Sequence, residues 1–346
     1  MATTTPTTGV LLVNLGTPDS TRVKHVRKYL RQFLMDGRVI DIPTPMRWLL
    51  VNAIIAPFRA PKSAAEYRKL WTDRGSPLKY YGYDVRDMLQ KALGEDYKVT
   101  IAMRYQSPSI EEGLEQLRSA KVERILVIPL FPQYASATNG SVIQEVMDVT
   151  RQWQVIPSLE FISQYPDHPS VIDTFAERAK PHMEESWDHV LFSYHGLPER
   201  QIRKASTGHC DLSEGCCATF GPHNQYCYRA QCFLTSRKIA EALGIPKEKY
   251  SVTFQSRLGS DPWVQPYTDE TMRSLAEQGA KRLLVFSPAF VADCLETTIE
   301  LGEALKEDFE SLGGEHLQLV ESLNDHPNWV AGLKAMVLER SPEMAT

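Results

Sequence analysis

Apolar positions along this chain alternate between two spacings. Continuous or period-two runs at 9–15, 97–103, 124–129 and 159–163 read as strands, and so do 190–194, 250–254, 282–287 and 316–320. Between them, apolar residues recur at helical spacing over 20–34, 63–70, 81–93, 110–119 and 142–153, then over 171–185, 234–243, 269–278 and 294–312. Ser20 is the expected cap of the first helix. Strands that alternate with helices imply parallel βαβ units with right-handed crossovers. The expected fold class is therefore α/β.

The pattern runs twice. Leu12-Val-Asn-Leu-Gly-Thr-Pro18 can be laid over Phe192-Ser-Tyr-His-Gly-Leu-Pro198, and Glu123-Arg-Ile-Leu-Val-Ile-Pro-Leu-Phe131 over Lys281-Arg-Leu-Leu-Val-Phe-Ser-Pro-Ala-Phe290 with one residue inserted. Both matches fall at strand ends and in the same order, which indicates an internal duplication. Two similar Rossmann-like halves are expected, 9–158 and 159–325, each a parallel sheet flanked by helices, with a cleft between them. Under this superposition His195 stands where the first half has Leu15. The histidine ends an apolar strand and is followed by Gly196 and Pro198, which puts it at a carboxyl edge, where parallel sheets collect their chemistry.

Composition narrows the function classes. At 346 residues, 42% hydrophobic and 23% charged, the chain has the makeup of a soluble globular protein of about two domains. With 38 Lys+Arg against 43 Asp+Glu, the formal charge of −5 offers no electrostatic case for nucleic acid. Residues 1–8 lack the basic start and apolar core of a signal peptide and read as a frayed tail, so the expected location is the cytoplasm. The most membrane-like stretch, Met46 to Phe58, is short and interrupted by Arg47, Asn52 and Pro57. It reads as a substrate lid or core segment in preference to a transient contact with the inner-membrane surface. No oligomeric interface is legible.

A second polar constellation follows the strand at 282–287. In Asp293-Cys-Leu-Glu-Thr-Thr-Ile-Glu300, helical spacing puts Glu296, Glu300 and Glu303 or Glu307 on one face. Such a run is usually a solvated acidic face, but this one starts at the same sheet edge as His195. An imidazole opposite carboxylates makes an open site for a divalent metal, or for a substrate that has to lose protons.

These motifs resemble those of the ferrochelatases. The resemblance lies in Ser193-Tyr-His-Gly-Leu-Pro198, in Phe254-Gln-Ser-Arg-Leu-Gly259 with Pro262-Trp-Val-Gln-Pro266, and in Asp293 to Leu301. It extends to Leu12–Pro18, Arg104-Tyr105 and Pro132-Gln-Tyr-Ala-Ser136, and runs from about Gly9 to about Leu333. It implies a lyase that inserts ferrous iron into protoporphyrin IX in the last step of haem biosynthesis. His195 and Glu296 would be the metal-site pair, Glu300 would continue a carboxylate path, and Leu15, Tyr67, Arg104, Tyr134 and Trp263 would contact the porphyrin. It further implies a porphyrin lip at about 43–62 and a C-terminal helix at 328–338, within a segment 326–340 that packs back on the first half. For the propionates, Arg59, Arg38 and Lys62 near the lip are candidates. Cys294 stands where many members outside the proteobacterial type carry histidine. A passing contact with a membrane surface or with another haem-pathway protein would fit such a role. Alternatives are a chelatase for coproporphyrin or cobalt, and a carrier or sensor of haem or an iron–sulfur group on the same scaffold.

Five of the six cysteines lie between Cys210 and Cys232, in a stretch (about 204–232) whose Gly, Pro and Asn content argues for loop. In a chain without an export signal this clustering suits metal ligation better than disulfides. Cys210, one of Cys216 and Cys217, Cys227 and Cys232 are the candidate ligands. A [2Fe–2S] cluster, which some family members carry, a tetrahedral zinc and unligated thiols are the alternatives.

Overall fold

The computed structural model describes residues 7–206, 210–213, 215–257, 259 and 261–341. Residues 1–6 of the expected tail lie outside the described residues, and Thr8 already belongs to the first strand. The chain forms two compact units. One contains the chain through Leu130, Ser136–Ser163 and everything from Asp325 onward; the other contains Phe131–Ala135 and Gln164–Asn324.

In the first unit, β1 (Thr8–Gly16), β2 (Tyr97–Tyr105), β3 (Arg124–Pro129) and β4 (Ser158–Phe161) form a parallel sheet in the order β2-β1-β3-β4. Val10 to Val13 at its centre are fully buried, which is why the run is continuously apolar. The helices are α1 (Val23–Met35), α2 (Thr44–Leu49), α3 (Ala56–Leu70), α4 (Pro77–Leu93), α5 (Ile110–Ser119) and α6 (Ser141–Thr150).

Several boundaries differ from the expected ones. Helix α4 starts at Pro77, because a proline there lacks only an N–H that would have no partner within the helix, whereas α3 starts at Ala56 as the continuation of the helical turns before it. The helix expected at 63–70 is thus the end of a longer one. Leu50–Ile55 is π-helical and joins α2 to α3, so the lip is a single helical run. Ser20 does not cap α1: its hydroxyl pairs with His25 Nδ1 at 2.7 Å and accepts from Arg22 N, and the helix starts at Val23.

The second unit repeats the plan. Its elements are α7 (Pro169–Ala179), β5 (His189–His195), α8 (Glu199–Ala205), α9 (Tyr228–Leu243), β6 (Tyr250–Gln255), α10 (Thr268–Glu277), β7 (Arg282–Phe286), a π-helix (Leu295–Ala304) that runs into α11 (Leu305–Ser311), and β8 (His316–Leu319). The parallel order is β6-β5-β7-β8, the same as in the first unit. Phe192 stacks on Phe286 at 5.0 Å in the core, and each buried ring contributes about 1.5–3 kcal/mol. The last helix, α12 (Pro327–Leu338), belongs to the first unit, where it packs on α4.

The duplication reaches details that the apolar pattern does not carry. Gln106 and Ser256, which directly follow β2 and β6, both have positive φ, 71° and 64°. His168 and His326 cap α7 and α12 through the same contact, with Nδ1 accepting a backbone N–H two residues on. No helix among the described residues is long and apolar enough to cross a membrane.

Candidate active site

His195 is the last residue of β5. Its Nδ1 lies 2.7 Å from the carbonyl oxygen of Gly196. A carbonyl only accepts, so Nδ1 carries the proton and the lone pair sits on Nε2. The turn is held from three sides. Gly196 N donates to the Gln255 carbonyl at 2.8 Å, the Tyr228 hydroxyl donates to the His195 carbonyl at 2.9 Å, and the Trp263 ring lies 6.5 Å from the imidazole. A Cβ at Gly196 would sit 3.0 Å from the Gln255 carbonyl oxygen and 3.2 Å from the Trp263 ring, so this close approach calls for glycine.

The carboxylates come from the π-helix Leu295–Ala304. Its N-cap is Cys294, whose sulfur accepts the Thr297 N–H while Thr297 Oγ1 accepts from Cys294 N at 2.9 Å. Burial pushes the Cys294 thiol up, and the neighbouring Glu296 adds to the effect. The thiol is therefore a protonated capping group. Glu300 Oε2 accepts from Ser256 Oγ at 2.5 Å and from Gln255 Nε2 at 3.4 Å, and the same Nε2 donates to the Glu296 carbonyl at 3.0 Å.

Burial is the main force lifting the Glu300 carboxyl above its ordinary range, and repulsion by Glu296 reinforces it. Ser256, His195 and Gln255 pull it partly back. Glu300 therefore lies within electrostatic reach of both Glu296 and His195. The acidic face differs from the expected one, because a π-helix makes roughly 4.4 residues per turn. Glu300, Ala304 and Asp308 line a cavity of about 260 Å³ with Gln255, Ser256 and Arg257, whereas Glu303 and Glu307 are exposed elsewhere on the helix. The sequence named Gln255 and Ser256 only as part of the Phe254–Gly259 motif at a strand's carboxyl end, with no role for either.

The candidates in the first unit have their own surroundings. Arg104 is fully engaged: Nε donates to Ser141 Oγ at 2.7 Å, and the other two nitrogens pair with Asp36 at 3.0 Å and Glu145 at 3.2 Å. Burial works against the Asp36 charge, but hydrogen bonds from Ser141, the Arg38 backbone and Tyr105, with the Arg104 charge, hold its carboxyl below the usual range. Arg38 is taken up by Gln144 and Ser136. Arg59 and Lys62 are exposed on α3. Tyr67 is buried edge-on to Tyr29, and Leu15 is half-buried. In the second unit, Tyr134 accompanies the cysteine segment, with its N–H on Gln231 and its ring edge-on to Tyr226.

The cysteine stretch is only partly loop. Cys232 lies inside α9, which starts at Tyr228. The helical pattern is masked there because buried Gln231, Thr235 and Ser236 are polar, each satisfied by hydrogen bonds to Gln164, Pro166 and Tyr194 among others. The Cys232 thiol is wholly buried, raised by that burial, and bonded to Tyr228. The other four group as hydrogen-bonded pairs, Cys210 with Cys216 and Cys217 with Cys227, and Cys227 also feels Cys210. Cys227 acts on Cys232 as it does on Cys210, so all five thiols of the segment lie within reach of one another's neighbours. Hydrogen bonding from Cys217 brings Cys227 down to about 6, while Cys217 itself is pushed up. Buried Arg229 donates to Cys217 Sγ at 3.2 Å. Four soft donors, one acidified and one beside a buried guanidinium, fit the chemistry of an iron–sulfur or zinc site. Among the described residues, no three His, Cys, Asp or Glu side chains stand in coordination geometry.

Two parallel sheets of the same strand order, with an imidazole and carboxylates at one carboxyl edge, define a duplicated α/β protein. The fold is similar to that of the SirB protein from Bacillus subtilis solved with Fe3+, at a TM-score of 0.51 and 14% identity over 96% of this chain and 94% of that one. The ferrochelatase family model matches residues 7–341. Ferrochelatases of Legionella pneumophila (strain Lens), Ectopseudomonas mendocina and Coxiella burnetii (strain Dugway) are 44%, 45% and 43% identical, over 96%, 96% and 95% of this chain and 99%, 98% and 92% of their own lengths. The chain belongs to the ferrochelatase family, and it is a lyase that inserts ferrous iron into protoporphyrin to form protohaem.

Proposed function

We propose that His195 Nε2 takes the pyrrole protons as ferrous iron enters the macrocycle, with Glu296 offsetting the charge of the ion and Glu300 passing protons on. The reaction releases two protons for each iron inserted, so it needs a base at the ring and an acceptor behind it. The observation that carries the reading is the Nδ1–H bond to the Gly196 carbonyl, which in the neutral imidazole puts the lone pair on Nε2. A Glu300 carboxyl lifted above its usual range, within reach of the imidazole, suits the relay. Trp263 beside His195 would flank the porphyrin face. Leu15, Tyr67 and Tyr134 are further porphyrin contacts of this reading. Exposed Arg59 is the propionate partner, whereas Arg104, with all its nitrogens engaged, shapes the wall.

The test is loss of protoporphyrin fluorescence on adding ferrous iron to the purified protein, with coproporphyrin run alongside. His195→Ala is expected to slow insertion on the order of 10²–10⁴-fold with its circular dichroism unchanged. Near-normal turnover would remove the central actor.

The same reading assigns Cys210, one of Cys216 and Cys217, Cys227 and Cys232 to a [2Fe–2S] cluster, supported by the reach of Cys227 to the other thiols and by the buried Arg229. It places the enzyme in the cytoplasm, with the lip at the membrane surface. Exposure of Met46, Trp48, Leu49, Ile54 and Phe58 supports that placement.

A further inference from the structure

Gln255 is buried at the end of β6, opposite His195 in the sheet register. Its backbone carbonyl holds Gly196 N, the residue that fixes the imidazole tautomer. Its side chain points the other way along the same edge. Oε1 accepts from Ser193 Oγ at 2.7 Å, and that hydroxyl is steadied by Thr268 Oγ1 at 2.8 Å, itself 2.9 Å from Thr253. Nε2 faces two acceptors, the Glu296 carbonyl and the Glu300 carboxylate. A flipped amide would put oxygen against both of them, so the orientation is chemically determined. One buried residue thus ties the histidine turn to the acidic π-helix by four hydrogen bonds, two on each side.

We infer that Gln255 is a positioning residue that sets the separation between the His195 imidazole and the Glu296 and Glu300 carboxylates; this rests on the reading of those three as the reacting groups. No neighbouring residue type replaces it. Asparagine is one methylene too short to span the gap, leucine fills it without donors, and glutamate has the shape but no N–H to offer Glu300. Proton relay depends steeply on such separations, whereas holding the porphyrin disc does not involve this amide.

The experiment compares the full-length wild type with Gln255→Leu, Gln255→Glu and His195→Ala. It measures kcat, the KM values for ferrous iron and protoporphyrin, and thermal melting. Both Gln255 variants are expected to lose about tenfold or more in kcat while the protoporphyrin KM stays within about twofold, the split that marks a transition-state role. Gln255→Glu keeps the Ser193 bond, so it decides the question should Gln255→Leu fail to fold. A folded Gln255 variant within about threefold of the wild-type kcat, beside an inactive His195→Ala, overturns the inference while leaving the site reading intact. So does a parallel fall of kcat, porphyrin affinity and melting temperature, which would mark a merely structural part. An active His195→Ala instead removes the site reading itself, and Gln255 falls with it.

Discussion

Single side chains in this protein take their chemistry from their neighbours. The Gly196 carbonyl sets the tautomer of the His195 imidazole, and Glu300 would be an ordinary acid without burial and Glu296 beside it. The Glu300 shift has a stability consequence whose sign can be worked out. A carboxyl with a raised folded pKa binds its proton more tightly in the native state, so its contribution is fully present below the unfolded pKa and is lost as pH rises through the folded one. Glu300→Gln removes that loss. The variant is therefore expected to gain melting temperature relative to the wild type as pH rises from 4 to 8 and to show the smallest difference at the acid end, while inserting iron more slowly. Thermal melts across that range check it, and a gap that shrinks with rising pH would contradict the assigned shift. At this scale the sequence was informative about identity and silent about state. His195 and Glu296 were legible from a strand end and an acidic run, whereas the carboxyl states of Glu300 and Asp36 depend on Ser256 and Ser141, 44 and 105 residues away.

Among the elements, those whose ends are written locally could be read closely, and those shaped by tertiary packing could not. Helix α5 spans Ile110–Ser119 as its spacing predicts, because Ser109 and Glu112 form a reciprocal capping box ahead of it. Ser109→Ala is expected to lower stability by about 1 kcal/mol with turnover unchanged, read by urea unfolding. Helix α9 shows the opposite case. Its first turn carries buried polar residues that imitate loop composition, so the stretch through Cys232 reads as loop although Cys232 lies within a helix. The π-helices leave no trace in an i, i+4 pattern either, since Glu296 and Glu300 share a face in both geometries and only the later acids separate them. The lip divides its apolar residues between two duties. Val51 and Ile55 pack with Leu34 and Ile40, while Trp48, Leu49 and Phe58 face outward. Replacing Trp48 and Phe58 by serine is therefore expected to reduce co-sedimentation with anionic vesicles severalfold and leave the melting temperature nearly unchanged. Equal sedimentation would remove the membrane contact from the reading.

For the molecule as a whole, the duplication lets the proposed reaction residues be compared with their counterparts in the other unit. Both units keep the same strand order and the positive φ after the second strand of each, and in the chain each fourth strand is followed by a histidine-capped helix that belongs to the other unit. At the position of His195 the first unit has Leu15, half-buried beside Asn14. The thiol segment is also confined to the second unit, and a bound cluster would add its binding free energy to folding. The protein as isolated is expected to be brown with about two irons per chain, as a [2Fe–2S] group requires. Cys227→Ser is expected to bleach it and lower the melting temperature; a colourless wild type carrying stoichiometric zinc would replace the cluster by a tetrahedral site.

The order of apolar runs, with Gly and Pro at their ends, determined the α/β class, the repeat and the strand end that bears His195, because burial in a parallel sheet demands continuous apolar stretches wherever they occur in a chain. The tertiary structure alone decided which thiols meet, that Cys294 caps a helix, and that Gln255 links the imidazole turn to the acids. Those outcomes depend on hydrogen bonds between residues far apart in the chain, whose energies are small, directional and invisible to any local pattern.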